Sequence, residues 1–245
     1  MKGVILAGGT GSRLFPLTKV TNKHLLPVYD KPMIYYPLEC MAKAGIEEVL
    51  LVTGGNNSGD FIRLLGNGHE FGFKNLNYTY QDGAGGIAQA LGLAERFADG
   101  DSICLILGDN ILEYSIRESV KRFRHQGQGA KILLSKVENP KAYGVAEMDG
   151  ERVVRIVEKP KEPKSNMAVI GIYFYDSKVF EIVKTLKPSA RNELEITDVN
   201  NAYIDRGEMT ADPVNGFWAD AGENIDFYLK ACNAIAQNGA NKETA

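Results

Sequence analysis

A short apolar run, Gly3-Val4-Ile5-Leu6-Ala7, leads straight into Gly8-Gly9-Thr10-Gly11-Ser12-Arg13-Leu14 at the start of the chain. An apolar strand that ends in three closely spaced glycines is how a parallel-sheet nucleotide site begins, because glycine lets backbone N–H groups approach phosphate oxygens. A Walker A loop requires Gly-Lys-Ser/Thr, and here Gly11 is followed by Ser12-Arg13. The dinucleotide fingerprint requires a third glycine or alanine, and Leu14 stands near that place with Phe15-Pro16 behind it. Pro16 also opposes a helix running directly out of the loop. What remains is a loop that wraps phosphates with its backbone, near the cations Arg13 and Lys23. A tight glycine turn with two solvated cations is the competing reading.

The rest of the chain predicts an α/β fold. Residues 31–44 read as a helix beginning near Pro32, and residues 47–53 as a second buried strand, which makes a right-handed crossover with parallel strands. A short helix over 58–65, a strand over 76–80, a helix over 87–97 and a very apolar strand over 102–107 follow. The second half predicts a helix over 115–126, a strand over 131–137, a hairpin around Asp149-Gly150 and a strand over 168–175. Helices near 177–186, 194–206 and 222–237 precede a frayed polar tail over 238–245. The expected architecture is one domain over 1–245. Its central sheet is mixed, mainly parallel and Rossmann-like, with helices on both faces and a small lobe carrying the hairpin. Ligands of such sheets collect at the carboxyl ends of strands, where Gly8, Gly86 and Asp109 fall.

The formal net charge of -3 over 245 residues gives no global reason to expect nucleic acid or an anionic membrane as partner, so any anion must be held by local charge. Three scattered cysteines in apolar surroundings fit buried thiols in a reducing compartment. Met1-Lys2 runs directly into the first strand, and no apolar run is long enough to span a bilayer, which predicts a cytoplasmic protein.

Several polar residues sit where apolar strands end. Asp109 follows a six-residue strand, where a carboxylate is costly to bury unless it meets a metal or a cation. At a phosphate site a hard oxygen ligand points to Mg²⁺, while capping of the next turn is equally compatible with this residue alone. Lys159, in Glu158-Lys159-Pro160, is placed to grip a phosphate as a point charge or to be a solvated hairpin end. The charged stretch from Ala190 to Asp198 reads as a helix start, and Gly216-Phe217-Trp218-Ala219-Asp220-Ala221-Gly222 adds the single tryptophan and a second carboxylate. Together these supply a phosphate-binding backbone, four cations and two candidate Mg²⁺ carboxylates, with no evident covalent nucleophile. That inventory suits phosphoryl or nucleotidyl transfer, where catalysis is positioning and charge neutralisation.

With Lys23-x-Leu25-Leu26-Pro27-Val28, residues 31–36, 86–90 and 107–110, Glu158-Lys159-Pro160, residues 193–198 and Trp218-x-Asp220-x-Gly222, the chain resembles the sugar-1-phosphate nucleotidyltransferases along nearly its whole length. Within them it is most similar to enzymes that join dTTP and glucose 1-phosphate into dTDP-glucose and pyrophosphate with Mg²⁺. The resemblance implies that Arg13 and Lys23 hold the triphosphate and stabilise the departing pyrophosphate. Asp109 and Asp220 would coordinate Mg²⁺, and Lys159 and Arg191 would bind the sugar phosphate. It further implies that Leu6, Gly8, Gly9 and Gly11 lie along the nucleotide and that Gln81 and Gly86 read the base edge. Tyr143, Gly144, Glu158, Lys159 and Val169 would line the glucose, with Trp218 beside it. A homo-oligomer, dimer or tetramer, is implied as well.

The loop Gln81-Asp82-Gly83-Ala84-Gly85-Gly86 lacks the prolines and acidic residue that many members carry there, Asn192 replaces a common glycine, and Glu223-Asn224 is a less usual pair. Longer members have a C-terminal extension that helps build a regulatory nucleotide site, and feedback by that route is not expected here. The rival readings are a uridylyl- or other nucleotidyltransferase and a catalytically silent sugar-nucleotide-binding subunit.

Overall fold

The computed structural model describes residues 1–9 and 11–243, and Asn56 by its backbone alone. Thr10 of the glycine motif and the last two tail residues, 244 and 245, lie outside the described residues.

In chain order the first elements are β1 (Lys2–Ala7), β2 (Pro27–Val28), β3 (Lys31–Pro32), α1 (Tyr35–Lys43), β4 (Glu48–Gly54), α2 (Ser58–Leu65) and β5 (Asn75–Gln81). Next come α3 (Ile87–Gly92), α4 (Glu95–Ala98), β6 (Ile103–Leu107), β7 (Asn110–Leu112), α5 (Arg117–Gln126) and β8 (Ala130–Lys136). The chain continues with β9 (Gly144–Asp149), β10 (Arg152–Glu158), β11 (Met167–Tyr175), α6 (Val179–Thr185), α7 (Ile196–Asp205), β12 (Met209–Pro213), β13 (Trp218–Asp220) and α8 (Ile225–Asn238). This is the mixed α/β class that the alternating pattern predicts. No helix among the described residues is long and apolar enough to cross a membrane.

Two compact units divide the chain. The first comprises Met1–Ala84, Ile106–Glu118 and Asn215–Ala245. Its strands β1, β4 and β5 are parallel, with Ala7 beside Thr53 and Gly54 beside Gln81. Helix α1 starts three residues later than expected, at Tyr35, because Lys31 and Pro32 pair with Val28 and Pro27 as a small antiparallel ladder. The expected loop before Gly222 contains a strand, β13, paired with β7. Leu14, Leu26, Met33, Tyr36, Ile111, Ala221 and Ile235 form one buried cluster. Full burial of a side chain such as Leu14 contributes about 1.5–3 kcal/mol. Arg13 therefore sits beside Leu14 and Asp220 beside Ala221, each polar residue next to an apolar anchor.

The tail is a correction to the sequence reading. Asn241 is buried, donates from Nδ2 to the Tyr36 carbonyl at 2.9 Å and from its backbone to the Leu112 carbonyl at 2.9 Å. Lys242 donates to Glu113 at 2.7 Å. Side-chain to backbone bonds of this kind leave no periodic signal in a polar sequence.

The second unit comprises Gly85–Leu105 and Ser119–Val214. Strands β9 and β10 form the expected hairpin, β11 lies antiparallel to β8 and β9, and β12, which the sequence reading missed, lies parallel to β8. The register of β11 against β8 shifts between Val169 and Tyr173. The expected helix over 87–97 breaks into α3 and α4 after Gly92. Tyr175 of β11 stacks with Tyr173 of the same strand and with Tyr203 of α7, and the Tyr203 hydroxyl donates to Asp176 at 2.7 Å.

Candidate functional site

In the first unit the three parallel strands stop at one level. A Cβ built on Gly8 would lie 3.1 Å from Gln81 Oε1, and one on Gly54 would lie 3.2 Å from the Gln81 carbonyl. Gln81 thus closes over the end of β1 while its own strand end is packed against Gly54. Gly11 has φ of +63°, and a Cβ there would meet Thr18 Cγ2 at 2.8 Å, so both conformation and space demand glycine. The Thr18 hydroxyl donates to the Gly11 carbonyl at 2.8 Å, and Leu14 anchors the far side of the turn while Arg13 stays exposed.

Lys23 reaches inward from the next turn, and its Nζ donates to Asp109 Oδ2. That turn is fastened by Asn22. Its Oδ1 accepts from the His24 backbone at 2.9 Å and from His24 Nδ1 at 2.8 Å, while its Nδ2 donates to the Ala7 carbonyl at 3.4 Å. Asp109 is presented by Gly108, whose N–H donates to the Leu6 carbonyl at 2.8 Å and whose Cβ would collide with His24 Cδ2 at 2.8 Å.

The β7–β13 ladder sets Asp220 opposite Asn110, and Ala221 N–H donates to the Asp109 carbonyl at 2.9 Å. Trp218 Nε1 donates to Asn110 Oδ1 at 2.6 Å, so the indole is held by the same short strand that carries Asp109's neighbour. Gly222 N–H donates to Asp220 Oδ1 at 3.0 Å. A Cβ on Gly222 would stand 2.5 Å from Asp109 Oδ2 and 2.6 Å from Lys23 Nζ, so this glycine leaves room for the pair.

Burial alone would raise the Asp109 carboxyl, but Lys23 and the neighbouring donors hold it down at about 2. Burial, reinforced by the Asp109 charge, pushes Asp220 up to about 7. Burial opposes the Lys23 ammonium, yet Asp109 and Asp220 together keep its pKa above the ordinary lysine value. Burial and the Lys23 charge push His24 down to about 3, so the imidazole is neutral and adds no charge beside Lys23. Two buried carboxylates of which one resists ionisation fit a hard divalent cation, which favours both charged forms and takes its other ligands from phosphate and water.

The second unit gathers the other half of the expected residues. Gly144 pairs with Glu158 across the hairpin, and a Cβ on Gly144 would lie 3.3 Å from Glu158 Oε2. Glu158 Oε2 accepts from the Thr197 hydroxyl at 2.8 Å. Lys159 follows in the left-handed region at φ of +43°, tied by its N–H to the Tyr143 carbonyl at 3.0 Å. Backbone strain of this kind costs on the order of 1–3 kcal/mol and gathers at functional positions. Val169 is buried at the register shift of β11, where such irregularities re-aim side chains. Gly86, at φ of +93°, lies against the Leu194 backbone, which bonds to Gly85 O and Ala88 N at 2.8 and 3.1 Å. Arg191 forms a two-point ion pair with Glu195.

Leu6, Gly8, Gly9, Gly11, Arg13, Lys23, Gln81, Asp109, Trp218 and Asp220 therefore fall in the first unit, and Gly86, Tyr143, Gly144, Glu158, Lys159, Val169 and Arg191 in the second. Sequence reasoning missed Asn22, His24, Gly108, Gly222 and Glu195 as members of these clusters. A glycine within two residues of each carboxylate, in Gly108-Asp109 and Asp220-Ala221-Gly222, is the signal that could have found two of them.

The profile of the family described as Nucleotidyl transferase matches residues 2–238. The glucose-1-phosphate thymidylyltransferase of Neisseria meningitidis is 46% identical over 94% of this chain and 81% of its own length. The enzyme of the same name from Mycobacterium tuberculosis is 46% identical over 96% of this chain and 82% of its own. A Bacillus anthracis protein described as a glucose-1-phosphate thymidylyltransferase, solved with sucrose, superposes with a TM-score of 0.92 at 51% identity, covering 97% and 96% of the two chains. A UDP-glucose pyrophosphorylase solved with UDP-glucose superposes with a TM-score of 0.83 at 26% identity, covering 96% and 98%.

Proposed function

This chain belongs to the nucleotidyl transferase family, and from that premise we infer that it transfers a thymidylyl group from dTTP to glucose 1-phosphate, giving dTDP-glucose and pyrophosphate. The observation that carries the choice of base is the gap between 51% identity to a thymidylyltransferase and 26% to a UDP-glucose pyrophosphorylase of the same fold. In the reaction a phosphate oxygen of glucose 1-phosphate forms a bond to the α-phosphorus of dTTP. The bond from that phosphorus to the bridging oxygen breaks, and pyrophosphate leaves.

The glycine turn and Arg13, with Lys23, bind the triphosphate through backbone N–H groups and two cations. Leu6, Gly8, Gly9 and Gly11 lie along the nucleotide, and Gln81 and Gly86 read the base edge. As charge builds on the leaving pyrophosphate, Arg13 and Lys23 take it up, and that differential stabilisation lowers the barrier. Tyr143, Gly144, Glu158 and Val169 hold the glucose ring with Trp218 beside it, and Lys159 and Arg191 bind its phosphate. Asp109 and Asp220 would hold Mg²⁺, which supplies charge neutralisation to the phosphates when bound. No residue needs to become covalently modified.

The test is pyrophosphate release from dTTP, UTP, CTP, ATP and GTP with glucose 1-phosphate and Mg²⁺. A clear preference for dTTP is expected, and equal rates with UTP would overturn the thymidylyl assignment. The same reading makes the protein a cytoplasmic homo-oligomer, dimer or tetramer, a state that light scattering measures directly.

A further inference from the structure

Arg191 and Lys159 enter the proposed function as the cations that receive the sugar phosphate, yet Arg191 already faces a carboxylate. Arg191 Nε and Nη2 donate to the two oxygens of Glu195 at 3.2 and 2.7 Å. Glu158 and Glu193 come to 3.6 and 3.5 Å of Nη2, and their side chains are 30% and 32% exposed against 13% for Glu195. Glu195 is therefore the one acidic neighbour with a fixed, two-point hold on the guanidinium.

Glu195 is itself held. The Ser189 hydroxyl donates to Glu195 Oε1 at 2.6 Å and accepts from the Arg191 backbone at 3.2 Å, so one serine references both partners to the same turn. Glu195 also stands at the N-cap of the ten-residue helix α7, whose partial positive charge favours an anion there. Lys159 adds its charge from the hairpin and helps to hold the Glu195 carboxyl below its ordinary value, although burial works against this. A guanidinium has five donors in a plane, and a side-on carboxylate uses two.

We propose that Glu195 is a positioning residue for the sugar phosphate: it grips the Nε–Nη2 edge of Arg191 and leaves the remaining donors of the guanidinium to the phosphate. This rests on the reading of the chain as a sugar-1-phosphate nucleotidyltransferase. Glu195 also balances the charge of Arg191 when no sugar phosphate is bound, which keeps the guanidinium oriented.

The experiment compares wild type, Glu195→Gln, Glu193→Gln and Arg191→Lys, with dTTP and glucose 1-phosphate varied separately in the presence of Mg²⁺. Glu195→Gln is expected to raise KM for glucose 1-phosphate on the order of tenfold, because a charge-assisted pair is lost. KM for dTTP and kcat should stay within about twofold of wild type. Glu193→Gln should resemble wild type. In an Arg191→Lys background the Glu195→Gln effect should shrink, since lysine cannot accept the two-point grip. An unchanged KM in Glu195→Gln, an equal rise in Glu193→Gln, or an effect undiminished in the Arg191→Lys background would each overturn the proposal. Should Glu195→Gln melt early, Ser189→Ala loosens the carboxylate without removing it. A smaller rise in the same KM is then expected, and none would count against the proposal. Wild type that turns over while Glu195→Gln is unaltered refutes the positioning role alone, whereas wild type without turnover refutes the underlying function and the proposal with it.

Discussion

Lys23 and Asp109 stand 86 positions apart in sequence and share a hydrogen bond, with Gly222 leaving the space they occupy. The glycine is not in a positive-φ conformation, so alanine there strains no backbone; it places a methyl group against Asp109 Oδ2 and Lys23 Nζ. Gly222→Ala is therefore expected to fold with near-normal stability and to lose about 10²-fold in kcat, since displacement of catalytic groups by about 1 Å has that effect. Steady-state pyrophosphate release alongside a thermal melt checks it, and a fully active variant would contradict the packing described. Lys23→Ala removes the cation that holds Asp109 ionised beside Asp220. It is expected to cost about 10²–10³ in kcat by the same assay, the scale of losing one charge-stabilising group. His24 was not legible in the sequence, because its bond to Asn22 depends on a turn that no periodicity announces.

At the scale of elements, residues 119–126 of α5 meet β8 and β12 at one buried carboxylate within the second unit. Asp212 accepts from Arg122 Nε and Nη2 at 3.1 and 3.0 Å and from Lys131 Nζ at 3.0 Å, and Lys131 is almost wholly buried. Burial opposes the charge, but Arg122 and Lys131 hold the folded carboxyl below its ordinary value of 3.8. The unfolded chain thus takes up this proton first as pH falls. The stabilisation is complete above about pH 4 and is lost as pH drops through the folded value. Asp212→Asn strands a buried ammonium and is expected to cost about 3 kcal/mol near neutral pH by urea unfolding. The difference from wild type should narrow as pH falls below the ordinary carboxyl value and through the lower folded one, and a gap of constant size would remove the carboxylate from this account. Strand β12 was not legible because Met209-Thr210-Ala211-Asp212-Pro213 is short, has only Met209 and Ala211 as apolar side chains before its proline, and its pairing with β8 rests on this ion pair and the ladder. The hairpin of β9 and β10 was legible because Asp149-Gly150 is a local turn signal that needs no distant partner.

At the scale of the whole molecule, the chain's end is tied to its beginning within the first unit. Asn241 bonds to Tyr36 and Leu112, and Lys43 Nζ donates to the Asn241 carbonyl at 2.9 Å. Asn241→Ala is expected to cost about 1–3 kcal/mol. Calorimetry would register a fall of about 2–4 °C per kcal/mol in a chain of this size, while KM for both substrates stays near wild type. An unaltered Tm would mean that the segment stabilises nothing. By itself the sequence determined the α/β class, the ends of its apolar strands, and the ordered motifs of a nucleotidyltransferase. Those are properties of short windows, in which glycine, proline and apolar spacing act locally. Only the tertiary structure decided that Lys23 bonds to Asp109, that the Asp109 charge raises Asp220, that Glu195 holds Arg191, and that the polar tail is docked. Each depends on side chains meeting across turns or strand ladders, where burial and charge, rather than local backbone preference, choose the partner.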